Sequence, residues 1–189
     1  MSRNKVQFQK GMSLPDFLKA YGTEGQCREM VFRSRWPKGY RCPDCGHDKY
    51  CETRSRHCFQ CHRCHRQTSL LSGTIYEQTK LPLTTWFLAS YLLAQNKGGI
   101  SALSLSRQLG VSYNTAWSVK HKLMQVMLER ERNQPLSGRI ELDGAYWGGA
   151  RHGGKRGRGS ENKTPFVAVV ATTETGQPVH ALSHSVKYF

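Results

Sequence analysis

No stretch of this 189-residue chain is apolar for long enough to cross a membrane. The longest apolar run, Trp86 to Ala94, is broken by Ser90, and a spanning helix needs about 20 residues. Met1–Lys5 is followed by no apolar segment of the kind that marks secretion, so a cytoplasmic setting is the expectation. Acidic residues are scarce, 13 Asp and Glu against 28 Lys and Arg, which leaves a formal net charge of +15. Such an excess favours a polyanionic partner, most simply nucleic acid. The seven cysteines are an odd number in a chain expected in a reducing compartment, which argues against a disulfide framework.

The positive charge belongs to no single tail. Residues 1–72 carry 14 basic and 6 acidic side chains, residues 73–135 carry 7 and 3, and residues 136–189 carry 7 and 4. It is spread over segments expected to fold.

Residues 13–35 predict two short helices. Ser13 caps the first, with Pro15 in its opening turn and Leu14, Phe17 and Leu18 as an apolar stripe. Thr23-Glu24-Gly25-Gln26 resembles a capping box for the second, which places Cys27, Met30 and Val31 on one face and ends at Trp36-Pro37. An apolar helix over 83–95 stops at Gly98-Gly99. Ser101 opens a helix through Leu109, and Ser112 opens a longer one to about Arg132. Beyond Pro135 and Gly138 the pattern changes to strands at 139–147, 164–172 and 178–183, the last two joined by a turn at 173–177. The predicted organisation is a helical lead-in (1–37), a metal-binding ribbon (38–80), a helix-turn-helix (81–135) and a β-rich part (136–189).

Cys42-Pro43-Asp44-Cys45 and Cys61-His62-Arg63-Cys64 give the spacing C-x2-C-x15-C-x2-C, four soft ligands for a closed tetrahedral zinc site. The segment is too small for its own apolar core, so zinc would supply much of its folding free energy. Cys58-Phe59-Gln60-Cys61 is a competing CxxC, and His62 or His65 could replace a thiolate. Cys61 with Cys64 is preferred because that pair mirrors Cys42 with Cys45. Cys51 and Cys58 then fall in the strands between the knuckles, and Cys27 in the core of the preceding helix.

Residues 101–127 read as a helix-turn-helix, with Gly110 at the turn and Val111 beneath it. At 100° per residue Ala116, Val119, Leu123 and Met127 share the buried face. Asn114, Ser118, His121 and Gln125 lie opposite, short or flexible polar groups able to reach base edges, with Lys120 and Lys122 near phosphates. A helical hairpin with a solvated polar face is the competing reading.

In Arg139–Gly149, Ile140 and Leu142 alternate with Glu141 and Asp143. A carboxylate on a central strand implies a bound metal, whereas on an edge strand it is simply solvated; spacing does not separate the two. The following Gly148–Lys163 is rich in glycine and cations.

Several stretches, in order, resemble the zinc-ribbon DDE transposases of bacterial insertion sequences, of the insertion-sequence-1595 type. They include Arg35-Trp36-Pro37 before the first CxxC, Ser72-Gly73-Thr74-Ile75-Tyr76, Leu81–Phe87, Gln108–Tyr113, Glu141-Leu142-Asp143, Tyr146–Gly149 and Asn162–Pro165. The resemblance implies an α+β chain: helical lead-in and zinc ribbon, helix-turn-helix, then the start of an RNase-H-like sheet. It implies DNA transposition, with Asp143 as the first catalytic acid, at the end of the first strand. Mg²⁺ or Mn²⁺ joins structural Zn²⁺ as a cofactor only in a complete catalytic domain. Double-stranded DNA at element ends is the implied partner, with a homo-oligomer compatible and no membrane. Arg151, Lys155, Arg156 and Arg158 would add phosphate contacts. Gly144 stands where many members carry an acid, and the later catalytic acids have no counterpart before Phe189. The expectation is therefore the N-terminal portion of a transposase, not catalytic alone; the rival is a DNA-binding regulator or a competitor of the full-length enzyme.

Overall fold

The computed structural model describes residues 11–53, 58–96, 98–133, 135–148, 163–176 and 178–186. Among them are five helices and two three-stranded antiparallel sheets, a mixed α+β architecture. They divide into two compact units, Gly11–Val126 and the part from Met127 onward.

In the first unit, α1 (Leu14–Tyr21) starts where the Ser13 hydroxyl accepts the Asp16 N–H. Only Phe17 of its predicted stripe is buried; Leu14 and Leu18 are half exposed, because a two-turn helix presents a single row to its neighbour. Phe17 packs on Tyr91, ring centroids 4.6 Å apart. The capping box forms as expected: the Thr23 hydroxyl accepts the Gln26 N–H and the Gln26 side chain accepts the Thr23 N–H. The helix it opens, α2 (Glu24–Arg35), buries Cys27 and Val31 but leaves Met30 exposed.

The ribbon follows as β1 (Tyr50–Thr53), β2 (Cys58–Cys61) and β3 (Gln67–Ser69), paired in that order. Its core is aromatic. Phe59 lies against Phe32, Trp36 and Tyr50 at 5.4, 5.4 and 5.1 Å. Arg35 ties α2 to the ribbon by donating to the Ser69 and Leu70 carbonyls.

Helix α3 (Leu83–Gln95) carries Leu83 into this cluster and Trp86 and Ala89 into a second one. The second cluster is completed by Ile100, by Leu105 of α4 (Ala102–Leu109) and by Ala116, Val119 and Leu123 of α5 (Tyr113–Arg132). Met127, expected on the buried face, is 57% exposed. It falls past the boundary of this unit, and Leu123 is the last residue of α5 in this core cluster.

The second unit holds β4 (Arg139–Trp147), β5 (Thr164–Thr172) and β6 (Pro178–Ser185), an antiparallel meander with β5 central. The register pairs Asp143 with Ala168 and Val169 with Leu182. β6 runs two residues further than the sequence predicts, since Ser185 still pairs with Phe166. Glu131, in the last turn of α5, stands 3.3 Å from the half-buried His180 of β6. Among the described residues this meander is what corresponds to the expected start of an RNase-H-like sheet.

Candidate metal centre and nucleic-acid interface

The two cysteine knuckles repeat one backbone pattern. In the first, the Cys42 N–H donates to the His47 carbonyl and the Gly46 N–H to the Cys42 carbonyl, at 2.9 and 3.0 Å. In the second, the Cys61 N–H donates to the Arg66 carbonyl and the His65 N–H to the Cys61 carbonyl, at 2.9 and 3.1 Å. The residue after the second cysteine is left-handed in both, Gly46 at φ 70° and His65 at φ 58°. His65 thus occupies a turn position that glycine fills in its counterpart.

This repetition brings four sulfurs together. Cys42, Cys45, Cys61 and Cys64 all lie within 4.8 Å of one another, and three of the sulfur pairs stand at 3.5 Å. Sulfurs about 2.3 Å from a tetrahedral zinc ion are about 3.8 Å apart, so the donor set and its spacing fit structural zinc. Backbone N–H groups of Cys45 and Asp44 hold the Cys42 thiol down at about 6. The Cys64 thiol, against the pull of the Arg66 N–H, is pushed up to about 12 by desolvation and by the other three sulfurs. Four thiols at contact distance resist ionising together, and a divalent cation removes that conflict. Burial pushes the Tyr40 phenol up, and the neighbouring Cys42 adds to the shift. Across the cluster the Arg66 guanidinium donates to both Asp44 carboxylate oxygens, at 2.5 and 2.6 Å, joining one knuckle to the other.

The alternative ligands lie elsewhere. Cys58 is paired with Thr53 and Ser69 in the sheet. The exposed Cys51 thiol faces the Gln60 carbonyl, and Cys27 is fully buried with its thiol on the Tyr21 carbonyl at 3.3 Å. His62 and His65 are exposed and outside the cluster.

The helix-turn-helix is built by local signals. Ser101 accepts the Ser104 N–H at the start of α4, and Gly110 ends it at φ 66°. The Ser106 hydroxyl donates to the Val111 carbonyl at 2.7 Å and closes the turn, and the Ser112 hydroxyl accepts the Thr115 N–H to open α5. With Ala116, Val119 and Leu123 buried, Asn114, Ser118, His121 and Gln125 are exposed. Lys120 is half-buried and Lys122 exposed, its ammonium 5.9 Å from the Trp86 ring centre. The sequence pattern missed an apolar row beside this ridge: Tyr113, Trp117 and Met124 are each about half exposed, and Trp117 lies 4.0 Å from the His121 ring. Period-3.6 reasoning splits a helix into two faces and overlooks such a flank.

Asp143 is exposed in the middle of β4, not at its end, because pairing with β5 continues to Trp147 and Thr164. Glu141 shares its face and is engaged by Arg139 at 3.4 Å. Among the described residues, the four cysteines are the group of three or more metal-ligating side chains that converges; the carboxylates form none. Arg151, Lys155, Arg156 and Arg158 lie outside the described residues. No described helix is long and apolar enough to cross a membrane.

Residues 22–67 match the transposase zinc-ribbon domain family, and residues 135–188 match the ISXO2-like transposase domain family. An uncharacterized protein in transposable element ISH50 of Halobacterium salinarum is 28% identical over 177 residues, covering 85% of this chain. The chain spans 58% of the length of that relative. No solved structure matches it. The first family match covers the cysteine ribbon and the second the acidic strand with its two neighbours, so that both segments of the chain are similar to domains of insertion-sequence transposases.

Proposed function

We propose that this chain binds duplex DNA at the ends of an insertion element for transposition inside the cell. In this reading residues 38–80 and 81–135 recognise the end, and residues 136–189 belong to the part that cuts and joins strands. The observation that carries it is the exposed ridge of α5. Asn114, Ser118 and His121 project from a helix anchored by three buried residues, with Lys120 and Lys122 alongside. Short polar groups on a rigid helix suit base edges, and flanking lysines suit phosphates. Cys42, Cys45, Cys61 and Cys64 hold the zinc that stiffens the ribbon. Arg151, Lys155, Arg156 and Arg158, in the basic segment that follows Gly148, add phosphate contacts. Two copies, one on each element end, are compatible with this role.

Asp143 is the proposed first catalytic acid and would hold Mg²⁺ or Mn²⁺. Two-metal phosphoryl transfer needs several carboxylates around cations about 3.5–4 Å apart. Among the described residues the carboxylates form no such group, and in this reading the chain binds DNA without cutting it alone. A labelled element end titrated with protein over a range of salt tests the first part. Binding that weakens steeply with salt is expected, and binding that ignores salt would refute it. Incubation of the same complex with Mg²⁺ or Mn²⁺ should leave the strands intact. Cleavage abolished by Asp143→Ala would overturn the non-catalytic reading and mean that further carboxylates are supplied from elsewhere.

A further inference from the structure

Beside α5 lies a notch of about 310 Å³, bordered by Asn114, Ser118 and Lys122 of that helix and by Thr79, Lys80 and Leu81 of the segment leading into α3. Its lining contains two lysines and no acid. Trp86 contributes to the lining although it is 3% exposed. The Trp86 indole N–H donates to the Thr79 hydroxyl at 2.9 Å, and the Leu81 N–H donates to the same oxygen at 3.1 Å. The segment that carries Lys80 is therefore fixed against the indole, while the Lys122 ammonium lies 5.9 Å from the same ring. Two ammonium groups on one concavity repel each other, and an anion between them reverses the sign of that interaction. The Ser118 hydroxyl and the Asn114 amide add neutral donors at the rim. The Thr115 hydroxyl is taken up with Ser112, at 2.8 Å.

We propose that this notch seats one backbone phosphodiester of the bound duplex, with Lys80 and Lys122 as its charge partners and Ser118 as a hydrogen-bond donor. The inference rests on the DNA-binding reading above. It moves Ser118 from base reading to backbone positioning and leaves Asn114, His121 and Gln125 to face the bases. It also brings Lys80, outside the helix-turn-helix, into the DNA footprint. A cation-rich notch that fixes one strand sets the register of α5 in the groove, which is the role of phosphate contacts in sequence-specific binding.

The test uses the intact zinc-loaded chain and a duplex of about 20 base pairs, with affinity measured from about 50 to 300 mM salt. Removing one lysine–phosphate pair lowers the slope of log K against log salt by about 0.9, which amounts to about eightfold in affinity at 0.1 M. Lys80→Met and Lys122→Met should each do this equally on every sequence. Lys19→Met, which removes an exposed lysine of α1, should bind like the wild type. A wild-type slope in Lys80→Met, or an equal drop in Lys19→Met, overturns the seat while leaving DNA binding in place. Inorganic phosphate that shifts the Ser118 and Lys122 amide signals while Lys80→Met leaves duplex affinity unchanged identifies a free-anion site and overturns it too. A wild-type chain that binds no duplex at about 50 mM salt refutes the DNA reading, and the seat with it.

Discussion

The Glu24 carboxylate accepts the backbone N–H of Leu83, 59 positions away, at 3.1 Å, and that of Thr84 at 3.3 Å. Pro82, at the head of α3, supplies no side-chain cap, so the orphan donors of that helix are met by the first residue of α2. A carboxylate there also suits the positive end of the helix dipole. Glu24→Ala should cost about 1 kcal/mol, and Glu24→Gln roughly half of that, since an amide oxygen still accepts one bond. Urea unfolding of the zinc-loaded protein measures both; equal stability of wild type and Glu24→Ala would contradict the cap.

The two left-handed knuckle positions should respond with opposite signs. Gly46→Ala introduces a Cβ at φ 70° and is expected to cost about 1 kcal/mol. His65→Gly relieves the same strain at φ 58° and should stabilise by roughly 0.5 kcal/mol, part of the gain being offset by the freer unfolded chain. Thermal unfolding of the two variants at fixed zinc concentration checks the pairing.

Cys61→Ser and Cys58→Ser distinguish the two overlapping CxxC registers. The first removes a fully buried sulfur of the cluster and should abolish stoichiometric zinc in native mass spectrometry. The second changes a sulfur in β2 outside the cluster and should retain one zinc per chain. A strong chelator should unfold the wild-type ribbon and leave α4 and the start of α5 helical, because their core is a separate cluster.

Leu105 is fully buried where α4 meets α3 and α5, so Leu105→Ala should cost about 2–5 kcal/mol. Its effect on DNA affinity should track the fraction unfolded. A variant that remains folded at low temperature should bind there like the wild type.

Local chemistry was legible in the sequence and long-range contact was not. Ser13, Thr23, Ser101 and Gly110 marked helix ends correctly because caps act within one turn. The cysteine spacing identified the cluster because the knuckle is a local fold with a metal-sized opening. Periodicity found the apolar faces of α1 and β4 but not what covers them: Leu18 is 52% exposed and Leu142 69%. The Glu24 cap left no motif, being a through-space contact between distant residues. Lys80 reads as an ordinary loop lysine until α5 is placed beside it. Asp143 was found as an acid in a strand, yet its mid-strand position is decided by how far β5 continues to pair.

The four sulfurs have a kinetic consequence. Cys42 and Cys64 are 22 positions apart, and the strands between them pair as adjacent hairpins. Closing a loop of that size costs about 3 kcal/mol of chain entropy, far below the roughly 10–16 kcal/mol that a structural zinc ion contributes. Contacts of such short sequence separation form quickly. We therefore expect the ribbon's assembly to be paced by the arrival of a metal ion rather than by the search of the chain.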